Sequence, residues 1–162
     1  MPSIDTPLLI IGPGPAALVA AKSVSGRGLP CLVAGHVPVD DHQPVVLDAK
    51  SLAILEPHGV LDVLRPYAST QDPFTIAPLP FEQGLKHHCV ADMLVTVYDN
   101  MTVEDRSPDG AGINGVLTDG RARWAIHADA FVDTSTMPAD LNEAIHQAAE
   151  LANLVLARLR AR

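Results

Sequence analysis

The chain has 162 residues, 48% of them apolar and only 4% aromatic, enough for one domain whose core is filled by Leu, Val, Ile and Ala rather than by rings. Its formal net charge of −8 is the opposite of a nucleic-acid-binding footprint, and its apolar runs are too short to span a bilayer. Two cysteines, Cys31 and Cys89, stand in no paired motif and no basic leader precedes an apolar segment, so a reduced, cytoplasmic protein without nucleic-acid or membrane partners is expected.

Residues 7–11, PLLII, are apolar on both faces, as in a buried parallel strand. A GPGP turn follows. Residues 16–26, AALVAAKSVSG, place Leu18, Ala21 and Val24 at helical spacing, and Gly26 and Gly28 end that helix. Residues 30–35, PCLVAG, form a second strand. Strand, helix and strand at this spacing imply a right-handed crossover and a parallel pair. HVPVDDHQPVV is a loop rich in Pro and Asp. Asp48 caps a helix running LDAKSLAILE, Pro57 and Gly59 interrupt it, and VLDVLRPYA adds another helical piece. Residues 69–84, STQDPFTIAPLPFEQG, contain three prolines and predict extended or irregular chain.

The second half changes character. In VADMLVTVYDNMTVE, Leu94, Thr96 and Tyr98 alternate against Val95 and Val97. RSPDGAG reads as a turn, INGVLTDGRARWAIH as two strands around Asp119-Gly120, and ADAFVDTS as a further strand ending in polar groups. A long helix closes the chain, with Leu141, Ile145, Ala148, Ala149, Ala152 and Val155 on one face. Asp140 is its N-cap, Glu143 follows three residues later, and Arg158, Arg160 and Arg162 suit its C-terminus.

The pattern Gly12-Pro13-Gly14-Pro15-Ala16-Ala17 is a G-x-G-x-x-A between a strand and a helix. In that setting the first glycine permits the tight turn, the second lets a pyrophosphate approach the backbone, and a small third residue lets helix and strand pack closely. The helix start offers N–H groups and a positive dipole end to phosphates. The alternative is a glycine turn that serves helix packing alone.

IIGPGPAALVAAKSVSGRGLPCLVA resembles the N-terminal FAD-binding motif of two-domain flavoproteins, a group that includes thioredoxin-reductase-like enzymes and aromatic-ring monooxygenases. SLAILEPHGVLDVLRPYA loosely resembles the monooxygenase helix after the second strand. GVLTDGRARWAIHADAFVDTS is similar to the flavoprotein β-meander and the strand after it, and DLNEAIHQAAELANLVLARL to the closing helix of a reductase-type FAD domain. The resemblance implies an α/β fold, a Rossmann-type parallel sheet with crossover helices plus an antiparallel β-meander, over a single FAD-binding-like domain, 1–162, without a separate NAD(P)H or substrate domain. It implies FAD as cofactor, held by Gly12, Pro13, Gly14, Pro15, Ala16 and Ala17. Asp133 matches the aspartate that holds the ribityl chain if ADAFVDTS is the last strand of the domain. A second alignment makes Asp133-Thr134-Ser135 the family's Ala-Thr-Gly strand end, with no cofactor role for Asp133.

The chain departs from the family at one position above all. An acid at the end of the second strand, roughly 20 residues past the turn, binds the adenosine ribose hydroxyls in dinucleotide folds; here that position is Gly35. His36 is a neighbouring candidate for a ribose hydrogen bond. No Arg or Lys lies between 31 and 49 to receive a 2′-phosphate, which ranks NADP below FAD. No Cys-x-x-Cys occurs.

Other residues invite chemistry and receive plainer readings. His87-His88-Cys89, read on a strand, points its histidines to opposite faces, so no metal site is expected. Cys31 reads as core, Asp40, Asp41 and His42 as a solvated loop, and Trp124 as core or a dimer contact. No Ser-His-Asp set sits on a nucleophile elbow, and no catalytic residue is identified. The expectation is a small FAD-dependent oxidoreductase, or the flavin-binding subunit of one, acting on a small-molecule substrate. A homo-oligomer or hetero-oligomer would complete its active site. The competing expectation is a degenerate dinucleotide-fold binding or accessory protein without redox activity, reusing the pocket for another ligand or a partner.

Overall fold

The computed structural model describes residues 1–12, 14–36, 39–136 and 140–161, with His36 through its backbone only. β1 (Ser3–Ile11), α1 (Pro15–Ser25) and β2 (Cys31–His36) form the expected crossover unit, with β1 and β2 parallel. Leu8, Leu9, Ile10 and Ile11 are all buried, because both faces of β1 are covered. Leu8 and Ile10 belong to a core shared with the helices, whereas Leu9 and Ile11 belong to a second core on the other side.

After β2 the chain makes β3 (Val45–Val46), α2 (Ala49–Leu55), α3 (Val60–Leu64), β4 (Thr70–Gln71) and β5 (Phe74–Ile76), the three short strands pairing in a small antiparallel sheet of order β3-β5-β4. Asp48 caps α2 by accepting from the Ser51 N–H at 2.8 Å, as its position predicted.

The proline-rich stretch is not irregular throughout. α4 (Pro78–Ala91) begins inside it, with Pro78 and Pro80 in the first turn. A proline there forfeits an N–H that has no intrahelical partner, so it starts a helix rather than breaking one. Ala77, held extended before Pro78, is the N-cap, and its carbonyl accepts from the Phe81 N–H at 3.0 Å. His87, His88 and Cys89 consequently lie on a helix and not on a strand.

β6 (Val95–Asp99) joins the far side of β2 in parallel, and β7 (Thr102–Asp109), β8 (Gly112–Thr118) and β9 (Arg123–Asp133) form an antiparallel meander. The sheet order is β6-β2-β1-β9-β8-β7. RSPDGAG is mostly strand, leaving Gly110-Ala111 as the turn. The two segments read as WAIH and ADAFVD are one continuous strand, β9, because it pairs with β8 along 123–128 and with β1 along 125–133. Ile126 and Ala128 serve the meander-side core, while Ala130 and Val132 serve the helix-side core. Trp124 is half-buried against the meander-side core.

α5 (Leu141–Arg160) closes the helical layer, and its Asp140 cap accepts from the Glu143 N–H at 2.9 Å. α1 packs against α5 and α4, and every residue from Ala16 to Ser25 is buried. Among the described residues no helix is long and apolar enough to cross a membrane.

At the amino-terminal edge of the sheet an ion pair joins α1 to the end of α4. Lys22 Nζ lies 2.7 Å from Asp92 Oδ2, which also accepts from Ser25 Oγ at 2.8 Å, while Asp92 Oδ1 accepts from the Leu94 N–H at 2.9 Å. Burial raises the Asp92 pKa, but the bonds from Lys22, Leu94 and Ser25 outweigh it and hold the carboxyl down at about 2. Replacing Asp92 by Ala strands a buried ammonium and is expected to cost about 3 kcal/mol. Because the folded pKa lies below the ordinary 3.8, that difference is fully present above pH 3.8 and vanishes as pH falls through about 2. Urea unfolding of wild type and Asp92→Ala at several pH values measures it; a gap that stays constant down to pH 2 contradicts the assignment.

Candidate functional site: the glycine turn at the carboxyl edge of the sheet

The parallel strands β1, β9 and β2 end together, and the glycine turn begins where they end. Ile11 and Asp133 are register partners, the Thr134 N–H donates to the Ile11 carbonyl at 2.8 Å, and the Gly12 N–H donates to the Ala34 carbonyl at 3.1 Å. Gly12 sits at φ +137°. A Cβ on it would strike Thr134 Oγ1 and stand 3.0 Å from the Ser135 nitrogen. The first glycine is therefore demanded by close approach of two strand ends, independently of any ligand.

Gly14 differs. It is the N-cap of α1 at φ +86°, and among the described residues a Cβ there would meet only Val39 Cγ1, at 3.6 Å. α1 has no side-chain cap and no acidic residue in its first turn, and Pro15 occupies its start. Such a helix end presents N–H groups and a positive dipole to an anion. Ala16 and Ala17 are 3% and 0% exposed and let the helix lie close to the strands. Pro13 lies outside the described residues. The structure thus brings Gly12, Gly14, Pro15, Ala16 and Ala17 into one turn with Asp133 on the adjoining strand end.

Asp133 is not a bare carboxylate. Its Oδ1 accepts from the Ser135 N–H at 2.9 Å and from the Ser135 hydroxyl, and its Oδ2 lies 3.2 Å from Arg106 Nη1. Partial burial raises its pKa, and the bonds from Ser135 and Arg106 more than reverse this, leaving it below the usual carboxylate range. Arg106 had no signal in the sequence. It stands 27 residues from Asp133, on a strand whose pairing with β8 slips between Glu104 and Ser107, where Asp105 takes φ +52°. That bulge re-aims the strand near the carboxyl edge.

The end of β2 shows why an acid is missing there. Gly35 adopts φ +69°, and its N–H donates to the Met101 carbonyl at 2.6 Å. β2 bulges against β6, so that Val33 pairs with Val97 and His36 with Asp99. The chain leaving β6 turns through Asn100, at φ +57°, and passes over the end of β2. Any side chain at 35 would have to sit in the left-handed region. Beyond β2, the Val39 N–H donates at 2.7 Å to Glu82 Oε2, a carboxylate on α4 that is 2% exposed. Val39 is thereby tied to α4, with its side chain beside the glycine turn.

The remaining candidates fall outside this edge. Asp40 and His42 form an exposed pair at 3.4 Å. His87 Nδ1 meets the Tyr67 hydroxyl at 3.0 Å, and Cys89 is buried with its thiol pushed up to about 12 by desolvation. Cys31, also core, is pushed up to about 12 mainly by burial. Ser51, His146 and Asp48 do meet, but one nitrogen, His146 Nε2, serves both, 3.2 Å from Ser51 Oγ and 3.0 Å from Asp48 Oδ1. A nucleophilic triad needs the two ring nitrogens to face different partners. Ser51 is fully buried and donates to Asn142 at 2.8 Å, so this cluster fastens α2 to α5.

Sheet order, crossover helix and meander together define a Rossmann-type α/β fold with an antiparallel meander. Solved structures that share the fold include p-nitrophenol 4-monooxygenase PnpA from Pseudomonas putida DLL-E4, 16% identical at a TM-score of 0.64, covering 82% of this chain and 40% of that one. A flavoprotein/dehydrogenase from Cytophaga hutchinsonii is 18% identical at a TM-score of 0.65, covering 82% of this chain and 39% of its own. The flavin-dependent monooxygenase PieE, solved with FAD and substrate, is 18% identical at a TM-score of 0.64, covering 81% and 30%. The chain therefore spans well under half the length of these structures. No protein-family model and no curated protein matches it.

The two glycines separate fold from ligand. Gly12→Ala is expected to cost about 3 kcal/mol, because Thr134 and the backbone behind it must shift. Gly14→Ala should cost less, about 1–2 kcal/mol, the strain of a positive-φ extended conformation less the stiffening of the unfolded chain. Urea denaturation midpoints measure both, and equal losses would contradict this division.

Proposed function

We propose that this protein is a small FAD-dependent oxidoreductase, or the flavin-binding subunit of one, with the FAD pyrophosphate on the 12–17 turn and the ribityl chain toward Asp133. The observation that supports it most is Gly14: a positive-φ glycine at the uncapped start of a buried helix, with Val39 alone among the described residues beside its missing side chain, at the carboxyl edge of a parallel sheet. Gly12 alone would be explained by packing; Gly14 is not. The residues fit an FAD pyrophosphate at the turn, and Asp133, fixed by Ser135 and Arg106, offers an ionised acceptor at the neighbouring strand end. A bound flavin supplies the redox chemistry, and the protein supplies position and electrostatics. Its location is cytoplasmic in this reading, its substrate a small molecule, and a homo-oligomeric or hetero-oligomeric partner contributes the rest of the active site.

A second reading has its own support. Gly35 provides no ribose-binding acid, and Val39 leans on the glycine turn. These features favour a dinucleotide-fold binding or accessory protein that uses the pocket for another ligand or a partner, without redox activity.

A visible spectrum of the purified protein, with and without added FAD, distinguishes the two. The first reading expects flavin absorption bands, release of FAD on heating, and loss of uptake in Gly14→Glu, which sets bulk and negative charge where the pyrophosphate lies. A colourless protein that takes up no FAD favours the second. Uptake undiminished in Gly14→Glu shows that the pyrophosphate lies elsewhere.

A further inference from the structure

The carboxyl edge has an acidic side chain one strand away from where dinucleotide folds are expected to place theirs. Asp99 is the last residue of β6, and its register partner is His36, the last residue of β2. Three steps along β2, from Val33 to His36, are matched by two along β6, from Val97 to Asp99. The bulge therefore brings Asp99 level with the end of β2, at a strand spacing of about 4.8 Å. The same bulge depends on Gly35 at φ +69° and on its bond to the Met101 carbonyl, two residues beyond Asp99. The geometry that removes a side chain from position 35 is the geometry that presents Asp99.

We propose that Asp99 recognises the ribose hydroxyls of a bound adenosine diphosphate moiety, in place of an acid at Gly35. The inference rests on the dinucleotide reading given above and adds the specificity residue that reading lacked. Lys86, from α4, holds Asp99 with Nζ 2.7 Å from Oδ2 and fixes the carboxylate at the rim, where it keeps 44% of its side-chain exposure. A carboxylate has about four acceptor positions, so hydroxyl donors can join its protein partners, Lys86 among them. Neither residue is adjacent to the turn in sequence. Both reach the edge because β6 pairs with β2 and α4 runs back along β6.

The test compares ligands that differ by one hydroxyl. Titration calorimetry of the purified chain with ADP and with 2′-deoxy-ADP should show ADP binding on the order of tenfold more tightly, the size of one hydrogen bond to a charged acceptor. Asp99→Ala should weaken ADP to the 2′-deoxy-ADP level and leave 2′-deoxy-ADP itself unchanged. Lys86→Met should retain the preference for ADP. A merely structural Asp99 would shift both ligands together. If Asp99→Ala loses its circular-dichroism signature, the double variant Asp99→Ala/Lys86→Met, which leaves no unpaired ammonium, takes its place in the same comparison. The inference is overturned if wild type does not distinguish the two ligands, if the preference survives loss of Asp99, or if adenosine 2′,5′-bisphosphate binds better than ADP. Those outcomes leave the dinucleotide reading standing. Failure of wild type to bind either ADP or FAD overturns that reading and this inference together.

Discussion

Everything in this structure is arranged around the burial of β1 between β2 and β9. That placement joins the first eleven residues to a strand more than a hundred residues away, and it leaves neither face of the Leu8–Ile11 stretch in contact with water. An all-apolar strand is stable only when both faces are covered, so its Leu8–Ile11 run obliges the chain to build two layers. Helices α1, α4 and α5 cover one face; β7, β8 and the first half of β9 cover the other. The close contact of Gly12 with Thr134 is the local consequence, since two adjoining strands end at the same level and their continuing chains must pass one another.

The two edges of the sheet then acquire different characters. At the amino-terminal edge charge is consumed internally. Lys22, Ser25 and Asp92 satisfy one another, and both cysteines are shut in nearby with raised pKa values, which makes them inert as nucleophiles. At the carboxyl edge, polar side chains remain partly exposed: the Arg106–Asp133 pair and the Lys86–Asp99 pair. A parallel sheet concentrates helix starts and loop crossings at that edge, which is why binding sites of open α/β sheets form there. Here the bulge at Gly35 reshapes it, and the Met101 carbonyl in the turn after β6 accepts from the Gly35 N–H.

What the sequence by itself determined was local and periodic. The apolar run of β1, the glycine turn, the helix of small residues after it, the Asp48 and Asp140 caps and the long amphipathic α5 were all legible, because each depends on residues within a few positions of one another. Prolines misled at 78 and 80, since a proline reads as a breaker unless its place in the first helical turn is known, and that place depends on Phe81 and Leu85 entering the core. β9 read as two strands because its alternation serves different cores along its length. Only the tertiary structure decided the composition of the edge. Arg106 meets Asp133 across 27 residues, Val39 meets Gly14 through Glu82, and Asp99 comes level with His36 through a bulge. None of these has a spacing signature, because strand pairing and crossover bring them together, and the chain's local preferences contain no record of which strands will become neighbours.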